Sequence, residues 1–482
     1  MQFNSFVFIM AFLPLTVLFY FCANKCSKEV GKIVLILSSF IFYAYTNLAI
    51  SAILAASLAV NYIFLYLIKR TSGNYKVLFV VPTTINICLL LYFKYTNFLI
   101  TNINLWFSKE IPFKEILLPV GISFFTFQQI AYGVAVFNGS LELKLIDYLA
   151  YILYFPKLLM GPLMDPEDFS KQINDESVKK LDLENISNGL KIFSFGLFKK
   201  MLLADTFSKA VGWGWENLDT ATSIDLILVM LFYTFEIYFD FSGYSDMAVG
   251  VSAMLNIKLP INFDSPYKAI SIRDFWKRWH ISLTSFFTKY IYIPLGGNRK
   301  GILFTCLNTM IVFTISGIWH GANWTFILWG ILHGCFSLFD RFFDKIEKKL
   351  FKPVRWFFTF AVINYLWLLF RAESVTQWID IIRKMFAVST SVVSDGLISI
   401  FRIKEADFIC DILPFVSSLE QKNNMIWLVA FILIALVICV LPENNYRRFK
   451  KNSFWEMLFA AVSFAWGIMC LSGESVFVYF GF

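Results

Sequence analysis

Charge is what this sequence has least of. Asp, Glu, Lys and Arg together make up 16% of its 482 residues, against about 25% in soluble chains. Hydrophobic residues make up 58% and aromatics 19%, with 56 phenylalanines. A soluble domain this apolar has too little polar surface to cover its core. Neither the first 24 residues nor residues 302–339 contain any Asp, Glu, Lys or Arg. A helix needs ~20 apolar residues to cross ~30 Å of hydrocarbon. The chain therefore reads as an all-α polytopic membrane protein, with 1–482 expected to form a single multi-pass unit. The net charge of +8 then concerns topology and membrane lipid rather than nucleic acid.

Other absences narrow the function. No basic segment opens the chain and no small-residue cleavage site follows its first apolar run. Residues 3–23 are thus expected to be a retained span rather than a secretory signal. Of the eight cysteines, Cys22 and Cys26 are close in sequence, but no second Cys/His pair completes a zinc set. No metal site and no disulfide is expected. The hydrolase elbow G-x-S-x-G is missing, "GYSDM" (243–247) being a near miss, and there is no Walker-type phosphate loop.

Length and lack of charge put candidate spans near 3–23, 33–48, 50–68, 77–95, 115–137, 147–162, 188–212, 223–250, 303–320, 324–340, 356–371, 424–441 and 455–472. The stretches 24–32, 69–76, 341–355 and 446–451 are basic and are assigned to the cytoplasm. Both chain ends and the excursion 373–423 then lie outside. Segment 163–186 is polar and reads as a loop or surface helix. Segment 264–301 mixes charge with aromatics and reads as amphipathic or re-entrant, since irregular backbone at membrane depth needs protein or water around it. "LLPVGISFFTFQQ" (117–129) and "FPKLLMGPL" (155–163) are broken by Pro and Gly. They are read as broken helices lining a cavity or as loop ends.

Histidine is also scarce. There are three, His280, His320 and His333, all in one stretch. An ionisable group at membrane depth usually faces a cavity or a partner, although helix packing is an equal alternative for any one of them. His320 has the most informative setting, "SGIWHGANW". Trp319 and Trp324 offer flat apolar walls, Gly321 allows close approach, and Asn323 offers hydrogen bonds. An imidazole there has the chemistry of a general base. Glu236, Asp240 and Asp246 sit in or beside an apolar span and need partners, for which Arg273, Lys277 and Arg278 are the candidates. "PLGGNRKG" (294–301) reads as a tight cytoplasmic turn.

Several segments together carry a resemblance. "RDFWKRWHISL", "YIPLGGNRKG" and "WHGANWTFILWGILHG" resemble the membrane-bound O-acyltransferases, and "YFDFSGYSDMAVG", "FPKLLMGPL", "LPVGISFFTFQ", "WLLFRAES" and the ending "VFVYFGF" extend the match over nearly the whole chain. The pattern is most similar to the bacterial branch that O-acetylates alginate and other exopolysaccharides. The resemblance implies a bundle of about 11–13 transmembrane helices, with re-entrant and amphipathic helices, around a central tunnel. It implies an acyl thioester donor, acetyl-CoA first, entering from the cytoplasm of a bacterial cell. The acceptor outside would be a polysaccharide or a secreted, acetyltransferase-like partner protein. The family's invariant histidine corresponds to His320 and its second to His280, the pair expected to be catalytic. Trp319 and Asn323 are expected beside the substrate, Asn323 as a candidate oxyanion donor. Arg299 and Lys300 are expected at the donor's phosphates. Where the branch has Arg-Asp-Tyr this chain reads Thr288-Lys289-Tyr290, which reverses a local charge.

D-alanyl transfer to teichoic acid is the alternative within the family; a lipid-linked sugar transporter or a secretion scaffold is the alternative outside it. No internal repeat of the transporter kind is visible. One tension is geometric. From a cytoplasmic start at Ile302, His320 lies ~27 Å along a helix, near the far side of the hydrocarbon, where the resemblance expects a deeper position.

Overall fold

The computed structural model describes residues 1–45, 47–71, 75–347, 349–387, 392–440, 446, 453–472 and 477. Among them every regular element is helical. In order the helices are α1 (Leu13–Cys26), α2 (Lys28–Ala44), α3 (Leu48–Arg70), α4 (Tyr75–Phe107), α5 (Ile122–Phe137), α6 (Leu145–Leu153), α7 (Phe155–Leu158), α8 (Pro166–Ile173), α9 (Leu183–Phe198), α10 (Asp205–Glu216) and α11 (Ser223–Met254). They continue with α12 (Ile272–Trp276), α13 (Ile281–Phe287), α14 (Ile302–His320), α15 (Trp324–Glu347), α16 (Lys352–Arg371), α17 (Val375–Phe386), α18 (Asp395–Ile400), α19 (Glu405–Ile412), α20 (Pro414–Lys422), α21 (Ile426–Val440) and α22 (Phe454–Met469).

Six stretches among the described residues are long and apolar enough to cross a membrane: Phe8–Cys26, α3, Val77–Phe107, α14, Trp324–Ile346 and α16. The pair Pro414–Gln421 and Ile426–Val440, bent by 113°, makes a seventh if taken as one broken span. The remaining expected spans fall on other kinds of helix. α5 and α22 are apolar but have only 16 residues each. α11 carries buried acids, of which Asp240 and Asp246 are paired with lysines of the turn that follows α9. The polar segment 163–186 holds α8 and a single 3₁₀ turn, and 373–423 folds as the short helices α17 to α20.

The inner pair α9–α11 shows how the sequence arranges this. Glycines seven residues apart on each helix face one another in antiparallel order. A Cβ at Gly189 would lie 2.5 Å from the Gly250 carbonyl oxygen, and one at Gly196 would lie 2.6 Å from that of Gly243. The two backbones touch, as small residues permit between helices in lipid. A π-helical turn, Lys199–Ala204, follows α9 directly and turns two lysines onto α11. Lys199 Nζ meets Asp246 Oδ2 at 2.8 Å, and Lys200 Nζ meets Asp240 Oδ1 at 2.7 Å and Asp205 Oδ1 at 2.9 Å. The Tyr446 hydroxyl donates to Asp246 Oδ1 at 2.7 Å. The partners of Asp240 and Asp246 are therefore Lys199 and Lys200, not Arg273, Lys277 or Arg278. Arg273 and Lys277 are exposed, and Arg278 bonds Asp274 at 2.9 Å. Sequence distance misled here: the π turn brings residues 40 and more positions away onto the same face.

α14 and α15 cross just as closely. A Cβ at Gly317 would lie 2.3 Å from the Phe326 carbonyl oxygen, and one at Gly330 would lie 2.4 Å from that of Phe313. This fixes the ends of the "SGIWHGANW" bend against each other. The segment 264–301 enters the bundle through α12 and α13, where Trp276, Trp279 and His280 are buried.

α4 resolves the depth of His320. The Lys94 ammonium of α4 bonds the His320 carbonyl, so the two residues share a level. Lys94 is ~28 Å from the start of α4, matching the ~27 Å along α14. Yet α4 runs on for 13 residues beyond Lys94, with Leu99, Leu105, Trp106 and Phe107 exposed. The apolar stretch Val77–Phe107 has its midpoint at residue 92. His320 thus packs against the middle of the longest apolar helix rather than its end.

Candidate active site

His320 is the last residue of α14, and Gly321, extended at φ −165°, ends the helix there. A Cβ on Gly321 would fall 2.1 Å from the Phe326 ring, so no larger residue fits the bend. The His320 ring is buried among Trp319, Trp329 and Phe370, with centroids 4.9, 5.1 and 5.3 Å away. His333, one turn past Trp329 on α15, lies 4.6 Å from that ring and accepts a 3.1 Å hydrogen bond at Nδ1 from Trp276 Nε1. That bond leaves the proton of a neutral His333 on Nε2.

His280 arrives from the segment 264–301, between α12 and α13. It caps α13 in the left-handed region at φ 44°, where histidine is tolerated but uncommon. Its neighbours hold that turn in place. Ile281 N donates to the Asn262 carbonyl at 3.0 Å, and Ser282 Oγ donates to Asn262 Oδ1 at 2.6 Å. The His280 ring lies 4.7 Å from Phe241 and 6.3 Å from Trp319. It is fully buried, and neither imidazole nitrogen has a hydrogen-bond partner among the described residues. Trp319 stands between His280 and His320, so the two expected histidines belong to one aromatic chamber.

Two cavities approach this chamber. A small one of about 90 Å³ is lined by His320, Trp319, Lys94, Gly121 and Met160 among others. Its wall joins the two broken segments of the sequence. Gly121, at φ +78°, packs within 3.0 Å of the Leu158 carbonyl as judged from its Cβ position. Both segments therefore line a cavity, one of the two readings their Pro and Gly allowed. The second cavity, about 720 Å³, opens among the exposed lysines Lys171, Lys258 and Lys289 and reaches Ile281, Ser282 and Phe127. The Phe127 ring stacks on Trp319 at 5.4 Å, so one layer of aromatics separates the large cavity from His320.

The other expected residues are placed differently. Asn323 caps α15: its Oδ1 accepts from Thr325 N at 3.1 Å and its Nδ2 donates to the Glu373 carbonyl at 2.8 Å. One N–H and one lone pair of its amide thus serve the bend. Arg299 and Lys300 sit exposed on the turn before α14 and line neither of these cavities. Lys289, the position of reversed charge, bonds Asp165 at 2.7 Å and lies 3.9 Å from Glu167. Lys94 was not singled out by the sequence, although an isolated lysine in "LLLYFKYTNFLI" is itself a signal of function in a membrane helix.

Comparison with known proteins decides what this chamber belongs to. The family profile described as MBOAT, membrane-bound O-acyltransferase family, matches residues 84–377, which include the three histidines and Lys94. The chain belongs to the membrane-bound O-acyltransferase family. A peptidoglycan O-acetyltransferase of Helicobacter pylori is 35% identical over 100% of this chain and 97% of its own length. The "Probable alginate O-acetylase AlgI" of Pseudomonas aeruginosa is 34% identical over 81% of this chain and 76% of its own. A teichoic acid D-alanyltransferase of Bacillus subtilis is 28% identical over 48% of this chain and 60% of its own. This membrane-bound O-acyltransferase is accordingly a multi-pass membrane enzyme that takes its acyl group from a donor substrate.

Proposed function

We propose that the protein transfers an acetyl group from a cytosolic thioester, acetyl-CoA first, to hydroxyls of a cell-surface glycan or to a partner protein that acetylates one. The observation that carries this reading is a pair of cavities beside one chamber, a small one lined by His320 and a large one parted from it by the stacked Phe127 and Trp319 rings. A two-substrate transfer across a membrane needs separate approaches for donor and acceptor. The large cavity suits the donor, whose pantetheine arm is long and thin and whose anionic phosphates would meet Lys171 and Lys258 at a mouth that also carries Asp165 and Asp168. Lys171 and Lys258 line that cavity, whereas Arg299 and Lys300 do not and Lys289 is held by Asp165. Trp319 and Phe127 form the inner wall against which the thioester would rest.

His320 would act as general base. It takes the acceptor's hydroxyl proton as the oxygen attacks the thioester carbon, then returns the proton to the departing thiolate. His280, with both nitrogens unpaired, would give or accept one hydrogen bond at the reacting groups. The acetyl-transferring relatives match 81–100% of this chain, whereas the D-alanyl relative matches 48%, which favours acetyl over D-alanyl transfer. A bacterial cell membrane with the N-terminus outside fits the basic loops on the donor side.

The test uses membranes from cells producing the full chain, supplied with radiolabelled acetyl-CoA. Label should pass into base-labile esters, and His320→Ala should abolish transfer while the protein still elutes as a folded, monodisperse species in detergent. Full transfer by the alanine variant would overturn the role of His320; D-alanylation in its place would overturn the acyl group.

A further inference from the structure

The end of α14 leaves carbonyl groups without intrahelical partners, as every helix end does. Here two consecutive residues of α4 take up three of them. Lys94 Nζ donates to the Trp319 carbonyl at 2.6 Å and to the His320 carbonyl at 2.8 Å. The Tyr95 hydroxyl donates to the carbonyl of Ile318. Tyr95 alone would serve as a structural clamp. Lys94 does more. It lines the 90 Å³ cavity together with His320 and Gly121, and no carboxylate forms an ion pair with it among the described residues. An ammonium has three N–H donors. Two are spent on carbonyls, and one remains beside the cavity where the imidazole works. Burial of a cation at this depth without a counter-charge is costly, so a helix cap that any neutral donor could supply does not account for a lysine.

We propose that Lys94 is a catalytic residue: its third N–H, with its charge, stabilises the oxyanion formed when the acceptor attacks the thioester. This rests on the transfer reaction proposed above. The acceptor oxygen bonds to the thioester carbon as its proton passes to His320. The C=O π electrons move onto the carbonyl oxygen, which becomes the oxyanion held by Lys94. Collapse re-forms C=O and breaks the C–S bond. The thiolate takes the proton from His320, leaving ester and free thiol. No other reactant is needed. The same lysine bonds the backbone of the base itself, so base and oxyanion donor are fixed to one helix end and cannot drift apart.

The test exploits valence. Lys94→Gln supplies two amide N–H groups, enough for both carbonyls, but no third donor and no charge. Lys94→Met removes all donors, and Tyr95→Phe loosens only the clamp. Transfer is measured in membranes with labelled acetyl-CoA per folded molecule, the folded amount coming from detergent gel filtration. Removing one oxyanion donor typically lowers kcat by about 10²–10³. That loss is expected for Lys94→Gln and Lys94→Met, with donor KM changed by less than about threefold and Tyr95→Phe retaining its kcat. Lys94→Gln with near wild-type kcat, or a loss seen only in KM, would overturn the proposal, as would activity that merely follows folded protein in both variants. His320→Ala is run alongside. If it stays active the base assignment fails; if it is inactive while Lys94→Gln is active, only the role of Lys94 fails.

Discussion

His280 separates two demands that one residue meets. Its backbone is left-handed, which costs most residues about 1–2 kcal/mol, and its imidazole is buried with both nitrogens unpaired. Asparagine tolerates the same backbone without the ring. His280→Asn is therefore expected to unfold at a higher temperature than His280→Ala, by about 1 kcal/mol in stability, in detergent melting curves. Both variants should lose about 10²-fold in kcat if the ring acts on the reacting groups. Equal melting temperatures would argue against the backbone account, and unchanged kcat against the chemical one. At this scale the sequence drew attention to His280 and His320, since histidines in lipid-facing sequence are conspicuous, and the structure buries both beside Trp319. It did not show that Asn323 caps α15, and it was silent on Lys94. Lys94 meets His320 across 226 positions, and nothing local announces that contact.

Among the elements, α9 with α11 and α14 with α15 depend on backbone touching backbone. A branched side chain at Gly196 or Gly317 has nowhere to go, because the obstructing atoms are carbonyl oxygens rather than flexible tips. Gly196→Val and Gly317→Val are each expected to cost well over the ~1–3 kcal/mol of ordinary overpacking, read as loss of folded protein on detergent gel filtration. Gly212, in α10, has nothing within 4 Å of its Cβ position. Gly212→Ala should instead stabilise the protein by about 0.5–1 kcal/mol. A similar loss in all three would show that the crossings are not what constrains these glycines. The paired lysines follow from the same packing. Breaking a buried pair costs about 3–5 kcal/mol, and Asp240→Ala, which removes a partner of Lys200 at 2.7 Å, should fall in that range by chemical denaturation. The glycines were visible in the sequence, but which glycine faces which was not.

For the molecule as a whole, the large cavity, proposed above as the donor route, is the feature that a surface substitution can close. Ser285 lines the 720 Å³ cavity and is exposed. Ser285→Trp is expected to raise the donor KM at least ~10-fold, about 1.4 kcal/mol, with the melting temperature unchanged. An unchanged KM would direct the donor elsewhere. The helical membrane architecture was legible from the absence of charge alone, because unpaired backbone in hydrocarbon leaves helices as the spanning form. The tally of spans was less so: several inner helices are short or carry paired charges, and these depend on neighbours rather than on an apolar run. The depth of His320 was legible only as a length along α14. It took α4, whose apolar stretch is centred beside Lys94, to show that this length ends mid-helix.

The sequence by itself determined the solvent this protein folds in, its helical class, and the three histidines that stand out within it. All three follow from composition and from short, local patterns. Only the tertiary structure decided which charges pair, how deep the histidine sits and which cation stands beside it. Those are contacts between segments 40 to 226 residues apart, set by how helices cross, and no local pattern encodes a crossing.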